Sequence, residues 1–181
     1  MRVVRLPLLL VVAALLGTLL PLGVARSAGM QYVADSKGRF RIGFPLGWRV
    51  ALPPGDTPAV QGVDAQSDRP YLNVNVVIES LPQPLSPAEY ARMSKPLMAA
   101  TFHEFAILQE GPARIARRDA YYRYYTWRSN TGSPLYQVQA YFTVGRRGYV
   151  LTGTTANNPN RVRKDVPVIG QIFETFAPYD K

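Results

Sequence analysis

The alternation of apolar and polar residues predicts most of the strands in this chain. Successive side chains of a strand point to opposite faces, so apolar residues at every second position mark a strand with one buried face. Phe40, Ile42 and Phe44 show this period, and a return strand begins at Trp48 after a turn. The same period predicts strands at 71–79, 120–128, 135–144 and 149–155, a shorter one within 60–68, and two extended segments, 107–109 and 113–116, on either side of a Gly111-Pro112 turn.

Two segments combine a helical spacing of apolar residues with helix-start signals. Ser86, Pro87 and Glu89 form a capping box with proline at the first helical position. We expect this helix to end near residues 103–105, with an apolar face made by Tyr90, Met93, Leu97, either Thr101 or Phe102, and Phe105.

The second helix is predicted to begin at Asn158 as the cap and Pro159 as the first residue. Pro96 and Pro167 lie inside the two helical patterns and predict a kink or a break in each, because proline removes one backbone hydrogen bond. The apolar stripe of the second helix consists of Val162, Val166, Ile169, Ile172, Phe173 and Phe176.

This order of elements predicts an α+β fold. Consecutive strands joined by short turns form a mainly antiparallel sheet, and the helices would cover its two faces as an α/β/α sandwich. Residues 28–181 contain no repeat and no second composition class, so we expect one domain.

The first 27 residues have the pattern of a secretory signal peptide. Arg2 and Arg5 precede an apolar run at 6–22, and small residues follow at Ala25 and Ser27. Cleavage is predicted after Ser27, with Ala25 and Ala28 as alternatives, which would leave an exported protein in the periplasm or outside the cell. The alternative is that the run is retained as a membrane anchor. Its prolines and glycine argue against this, because a membrane span needs roughly 20 consecutive apolar residues.

Composition narrows the chemistry of the exported part. The chain has no cysteine, which excludes disulfides, thiolate nucleophiles and sulfur-bound zinc. Without Arg2, Arg5 and Arg26, 18 basic residues stand against 12 acidic ones, a net charge of +6. This charge favours acidic proteins or anionic surfaces and allows peripheral membrane association. Nucleic acid is a poor partner, because the basic residues are scattered and the chain is predicted to be exported.

Catalytic patterns are weak. His103 is the only histidine, and no Gly-x-Ser-x-Gly elbow presents a serine to it. Asp64 with Asp68, and Glu104 with Glu110, are the nearest carboxylate pairs, but their surroundings are typical of solvated loops. Glycine-rich phosphate loops and the dense acidic loop of a calcium site are also missing from the sequence. We therefore predict no enzyme activity, no cofactor and no metal site.

The segment 117–128 combines aromatic and cationic residues in one predicted strand. Tyrosine, tryptophan and arginine are the types enriched in binding hot spots. The alternative interpretation is cross-strand packing, with one face in the core and the other covered by tyrosine rings and arginine stems. Two further basic sites, at a hairpin tip and in the first turns of the last helix, would join this surface only if the fold brings them together. The predicted partner-binding residues are Tyr122, Arg123, Tyr124, Trp127, Arg128, Arg146, Arg147, Arg161 and Arg163.

The order of several short motifs resembles the PsbP-like family, named for an extrinsic subunit of the photosystem II oxygen-evolving complex and including many secreted bacterial proteins. The motifs are Phe40-x-Ile42-x-Phe44-Pro45-x-Gly47-Trp48, Asn73 to Val76, Ser86 to Tyr90, Tyr149 to Thr152 and Ile172 to Phe176. The resemblance covers nearly all of residues 28–181 and implies a non-catalytic domain that binds or assembles larger partners. No metal or partner site carries over, because no such motif is matched.

Three functions follow as hypotheses. The first is an exported, non-catalytic binding or assembly protein that contacts a larger partner or an anionic surface through the Tyr/Arg strand and the basic tips. The second is a carrier that holds an apolar or aromatic small molecule between sheet and helix, where Pro96 and Pro167 would loosen the covering helices. The third is an enzyme, which would need converging carboxylates around His103.

Overall fold

The computed structural model describes residues 29–65 and 71–179, so the predicted signal peptide lies outside the described residues. Ten strands and two helices follow one another within those ranges. Their bounds are β1 Met30–Ala34, β2 Phe40–Pro45, β3 Arg49–Ala51, β4 Val60–Val63, β5 Asn73–Ser80, α1 Pro87–Thr101, β6 His103–Ile115, β7 Arg118–Arg128, β8 Pro134–Val144, β9 Arg147–Ala156, α2 Pro159–Phe173 and β10 Ala177–Pro178.

The predicted α/β/α sandwich with antiparallel pairing is confirmed, and its strands form two sheets. The large sheet has the order β3-β4-β5-β9-β8-β7-β6, and the small sheet has the order β1-β2-β10. The segment 40–50 is therefore not a simple hairpin, since β2 pairs with β1 and β10 while β3 pairs with β4. Neither β1 nor β10 was predicted, because each is short and its pairing to β2 is a tertiary contact.

The main core lies between the large sheet, α2 and the small sheet. Phe40, Ile42 and Phe44 are fully buried there, which confirms the predicted face of β2. Phe176 packs with its ring centroid 5.5 Å from that of Phe40 and 5.0 Å from that of Phe142. These contacts join the small sheet, the end of α2 and the large sheet into one apolar cluster.

Helix α1 begins as predicted but turns a different face to the sheet. The Ser86 backbone N–H donates to Glu89 Oε2 at 2.8 Å, and the Glu89 N–H donates to Ser86 Oγ at 3.3 Å. Met93 and Leu97, predicted as core, are 54% and 72% exposed. Tyr90 is buried as predicted, but Met93 and Leu97 lie outside the apolar cluster of Leu81, Tyr90, Ala91, Tyr141 and Val150 on which α1 packs. The residues of α1 that are buried are Tyr90, Ala91 and Met98.

Both helices continue through their internal prolines, so neither is split at Pro96 or Pro167. The predicted turn at Gly111-Pro112 is also absent, since β6 runs unbroken through it and pairs with β7 there. Proline is tolerated because β6 is an edge strand, where one row of N–H groups has no partner strand. The turn lies instead at Ala116 and Arg117.

Candidate functional site

Strand β7 presents its two sets of side chains to opposite sides of the large sheet, as the alternation predicts. Tyr122 and Tyr124 point toward α2, where they line a common groove with residues of that helix. Arg123 points toward α1 and donates a hydrogen bond to the Ala91 carbonyl at 2.8 Å. The two halves of the predicted Tyr/Arg site therefore lie on different faces, and each needs its own interpretation.

Three half-buried tyrosines form a row on the α2 side, which we call the tyrosine face: Tyr122, Tyr124 and Tyr136. The ring centroids of Tyr122 and Tyr124 are 5.3 Å apart, and those of Tyr124 and Tyr136 are 6.2 Å apart. Gln109 donates to the Tyr122 hydroxyl at 2.8 Å. Burial raises the pKa of Tyr124 and that of Tyr136, so both phenols stay neutral near pH 7.

A groove of about 180 Å³ separates the tyrosine face from α2. Val138 and Phe173 contribute apolar surface to its walls. Gly170 lies on the α2 side, and a Cβ atom placed on it meets no atom within 4 Å. The groove therefore exists partly because α2 presents a residue without a side chain at this point. Neither Tyr136 nor Gly170 was found from the sequence, since both depend on how α2 lies across the sheet.

Arg123 cannot contact a partner in this fold, contrary to the prediction. It is 0% exposed. Its guanidinium donates to Glu110 Oε2 at 2.7 Å and to the Tyr141 hydroxyl at 3.0 Å, besides the Ala91 carbonyl. Burial alone would raise the pKa of Glu110, but hydrogen bonds from Arg123 and Lys95 and their charges outweigh it and lower that pKa. The group forms a buried ion pair that holds α1 on the sheet.

The same side of the sheet carries a network of buried amides and hydroxyls. Gln137 donates to Thr154 Oγ1 at 2.8 Å, and Gln139 donates to Thr152 Oγ1 at 3.2 Å. The hydroxyl of Tyr125 donates in turn to Gln137 Oε1. The alternation along β8 places these glutamines on the face opposite its apolar residues, but it does not show that this face is also buried. The available signal was the polar period shared by neighbouring strands.

Trp127 belongs to the α1 side and not to the tyrosine face. Its ring centroid lies 4.6 Å from that of Phe102, just after the last residue of α1. Within the described ranges its buried indole N–H has no hydrogen-bond acceptor. Trp127 and the tyrosine face therefore cannot act as one continuous contact surface.

The predicted basic residues divide between the two ends of the large sheet. Arg146 and Arg147 lie where β9 begins, whereas Arg161 and Arg163 lie in the first turns of α2, after β9 ends. Ten residues of strand span roughly 30 Å, so these two pairs do not form one patch. Arg128 ends β7, donating to Glu104 Oε2 at 2.9 Å and to the Gly132 carbonyl at 2.8 Å.

Of the candidate catalytic carboxylates, Asp68 lies outside the described residues, and Glu104 and Glu110 each have an ion-pair partner of their own. Glu104 is paired with Arg128, and Glu110 is paired with Arg123 and Lys95. In residues 29–65 and 71–179 no group of three His, Asp or Glu residues is placed to hold a metal ion. No helix in those ranges combines the length and apolar character needed to cross a membrane.

Comparison with known proteins places the chain within a family and a fold. The DcrB family model matches residues 63–165, more than half of the chain. A sequence search of the curated proteins finds no match.

Three solved structures share the fold at low sequence identity. Cyanobacterial PsbP (CyanoP) from Synechocystis sp. PCC 6803 has a TM-score of 0.62 and 18% identity over 90% of this chain and 100% of its own. The Saccharomyces cerevisiae Ran-binding protein Mog1p has a TM-score of 0.57 and 10% identity over 85% and 97%. LpqN, involved in cell envelope biogenesis of Mycobacterium tuberculosis, has a TM-score of 0.55 and 14% identity over 82% and 90%. The predicted resemblance to PsbP is thus confirmed at the level of the fold.

Proposed function

The chain belongs to the DcrB family, and from that premise we propose that it is a non-catalytic binding protein that recognises a protein partner through its tyrosine face. The partner inserts one apolar or aromatic side chain into the groove beside Gly170. Mog1p, which shares the fold, is named as a Ran-binding protein, which supports a protein as the partner.

The observation that carries the proposal is the row of Tyr122, Tyr124 and Tyr136 left half-buried beside an unfilled groove. Three tyrosines with centroids 5.3 Å and 6.2 Å apart offer a large contact area at a small cost in side-chain entropy. The raised pKa values of Tyr124 and Tyr136 keep their hydroxyls as donors at neutral pH. A core tyrosine would instead be fully covered, as Tyr125 is at 0% exposure.

The groove volume distinguishes this proposal from the carrier hypothesis. Small-molecule sites usually enclose about 300–1,000 Å³, whereas the space between the sheet and α2 is about 180 Å³. The unbroken course of α2 through Pro167 gives no loosened lid above it. A single side chain from a partner fits this volume better than a carried ligand.

We also propose that the binding takes place after export. The basic, apolar and small residues in order at the N-terminus support this location. LpqN, which shares the fold, is named for a role in the cell envelope. Cell fractionation with an antibody to residues 29–179 tests it, and recovery of the protein only in the cytoplasm would contradict export.

Site-specific photo-crosslinking in the native host tests the binding site. A benzophenone amino acid at Tyr122 should give a defined covalent adduct with one protein, since this position borders the groove. Gly170→Trp should fill the groove and remove that adduct. A side chain can begin at this position because a Cβ atom placed on Gly170 meets no atom within 4 Å. With the partner then purified, Tyr124→Ala should weaken binding by about 2 kcal/mol, roughly 30-fold, as expected for a central hot-spot tyrosine.

Tyr32 provides the matched control, because it is 60% exposed but lies on the small sheet. A benzophenone at position 32 should give no adduct with that protein, and Tyr32→Ala should leave the affinity unchanged. Equal adducts from positions 122 and 32, or an adduct that survives Gly170→Trp, would contradict the proposed site.

A further inference from the structure

The end of the sheet at which β6 turns into β7 contains an arginine-lined depression separate from the groove. Its volume is about 410 Å³, and it shares no lining residue with the groove. Among the residues that the structure describes, Arg114, Arg117 and Arg118 line it, and Asp119 contributes a carboxylate. The lining is therefore positively charged, and its volume lies within the range of about 300–1,000 Å³ that is common for small-ligand sites.

Among the described residues, the charges of Arg114 and Arg117 are only weakly compensated by ion pairs. Arg114 and Asp119 are 3.8 Å apart, and their side chains are 73% and 89% exposed, so their attraction is weak. Within the described part of the chain the side chain of Arg117 has no ion-pair or hydrogen-bond partner. Arg118 donates to the Pro178 carbonyl and Arg147 to the Tyr179 carbonyl, each at 3.4 Å, so the β8–β9 hairpin lies at the same end of the sheet as the depression.

The backbone of Arg117 adds an independent observation. Ala116 and Arg117 have φ angles of 51° and 62°, the left-handed conformation at both central positions of the hairpin turn. Asn-Gly and Asp-Gly are the usual residues there, because a Cβ atom makes this conformation unfavourable. Glu174 Oε2 accepts a hydrogen bond from the Ala116 N–H at 2.8 Å and supports the turn. An arginine at a position that favours glycine indicates a use for its charge.

We propose that this depression is a binding site for a phosphate group. A phosphate monoester carries close to two negative charges at neutral pH, which the exposed guanidinium groups of Arg114 and Arg117 would attract. The planar guanidinium donates two parallel N–H bonds to phosphate oxygens, a geometry that an isolated ammonium cannot reproduce. The phosphate belongs either to a soluble compound or to a lipid headgroup, since a monoester and a singly charged phospholipid diester both present anionic phosphoryl oxygens.

Two glycine variants separate the charge of Arg117 from the shape of the turn. Arg117→Gly removes the guanidinium and relieves the left-handed strain, whereas Ala116→Gly relieves strain and keeps the charge. In an NMR titration with inorganic phosphate, the amide signals of residues 114–119 should shift in the wild type and in Ala116→Gly with equal affinity. Arg117→Gly should bind phosphate at least about 10-fold more weakly than the wild type, as expected for the loss of a charge-assisted hydrogen bond. The same variant should unfold at a higher temperature than the wild type, because the strain in the turn is relieved.

Vesicles of phosphatidylcholine with and without phosphatidylglycerol form the second arm, and Arg163→Ala is its control. Arg163 is exposed and bonds only its helix neighbour Asn160 in the described structure, at 2.9 Å, so this variant removes the same charge at the opposite end. Binding of inorganic phosphate identifies a soluble ligand, and binding of anionic vesicles alone identifies a lipid headgroup; either result supports the site. No binding in either arm, or equal weakening by Arg163→Ala and Arg117→Gly, would overturn the proposal.

Discussion

At the scale of single residues, the ion pair of Arg123 and Glu110 stabilises the packing of α1 on the large sheet. The Arg123 side chain is 0% exposed and that of Glu110 is 23% exposed. Removing one partner of such a pair leaves a charge without compensation in a poorly solvated site. Glu110→Gln should therefore lower the free energy of unfolding by about 2–3 kcal/mol, less than the roughly 3–5 kcal/mol of a fully buried pair, because Glu110 keeps some contact with solvent. Urea denaturation at pH 7 measures this loss.

The exposed pair of Glu104 and Arg128 serves as the matched control. Their side chains are 69% and 45% exposed, so Glu104→Gln should change the stability by less than about 0.5 kcal/mol. The lowered pKa of Glu110 adds a pH test. Its contribution is present above the unfolded pKa of about 4.3 and is lost as the pH falls through the folded pKa. The difference between wild type and Glu110→Gln should shrink over that acid range, and an unchanged difference at low pH would contradict the assignment.

At the scale of elements, glycine decides how closely α2 approaches β9. A Cβ atom on Gly153 would lie 2.3 Å from Cγ2 of Ile169 and 2.9 Å from its Cδ1. Ile169 is fully buried, so it has little freedom to move away. Gly153→Ala should destabilise the protein by about 2 kcal/mol through overpacking. Chemical denaturation should show a lower midpoint with an unchanged m-value.

Gly170 in α2 provides the opposite expectation. No atom lies within 4 Å of a Cβ placed there, so Gly170→Ala should stabilise the helix by about 0.5–1 kcal/mol. A Gly153→Ala variant with unchanged free energy of unfolding and unchanged helical content would contradict the close packing of α2 on β9. Gly153 thus allows α2 to pack closely on β9, whereas Gly170 leaves the groove open.

At the scale of the whole molecule, buried phenols link stability to alkaline pH. Burial raises the pKa of Tyr90, Tyr125 and Tyr141, and a hydrogen bond to Glu79 raises that of Tyr90 further. A group with a raised folded pKa contributes stability below its unfolded pKa, about 10 for tyrosine, and loses it as the pH rises above that value. We expect these phenols to ionise only together with unfolding. Tyrosinate absorbance and far-ultraviolet circular dichroism should then change in one alkaline transition.

Tyr90→Phe should move that alkaline transition to higher pH, because it removes one ionisable group from the folded interior. Tyr32→Phe, at a position 60% exposed, should leave it in place. Titration of all 11 tyrosines without any change in circular dichroism would contradict the expectation.

Several features were predictable because they depend on residues close together in the chain. The capping box at Ser86 and the cap at Asn158 form from side chains within three residues of one another. The buried face of β2 follows from its own alternation. The face of α1 was not predictable in this way, since Met93 and Leu97 are as apolar as any core residue. Which face of α1 is buried depends on the apolar cluster beneath it, whose members Leu81, Tyr141 and Val150 lie far apart in the chain.

The sequence by itself determined where the helices and most strands lie, which end of each helix is capped and which side chains of β7 share a face. The tertiary structure decided the rest. It placed β2 in the small sheet, buried Arg123 against Glu110, sent the basic tips to opposite ends and set Gly170 above the tyrosine face. The physical reason is range: caps and alternation act within a few residues, whereas strand pairing and burial depend on segments far apart in the chain, whose approach no local pattern specifies.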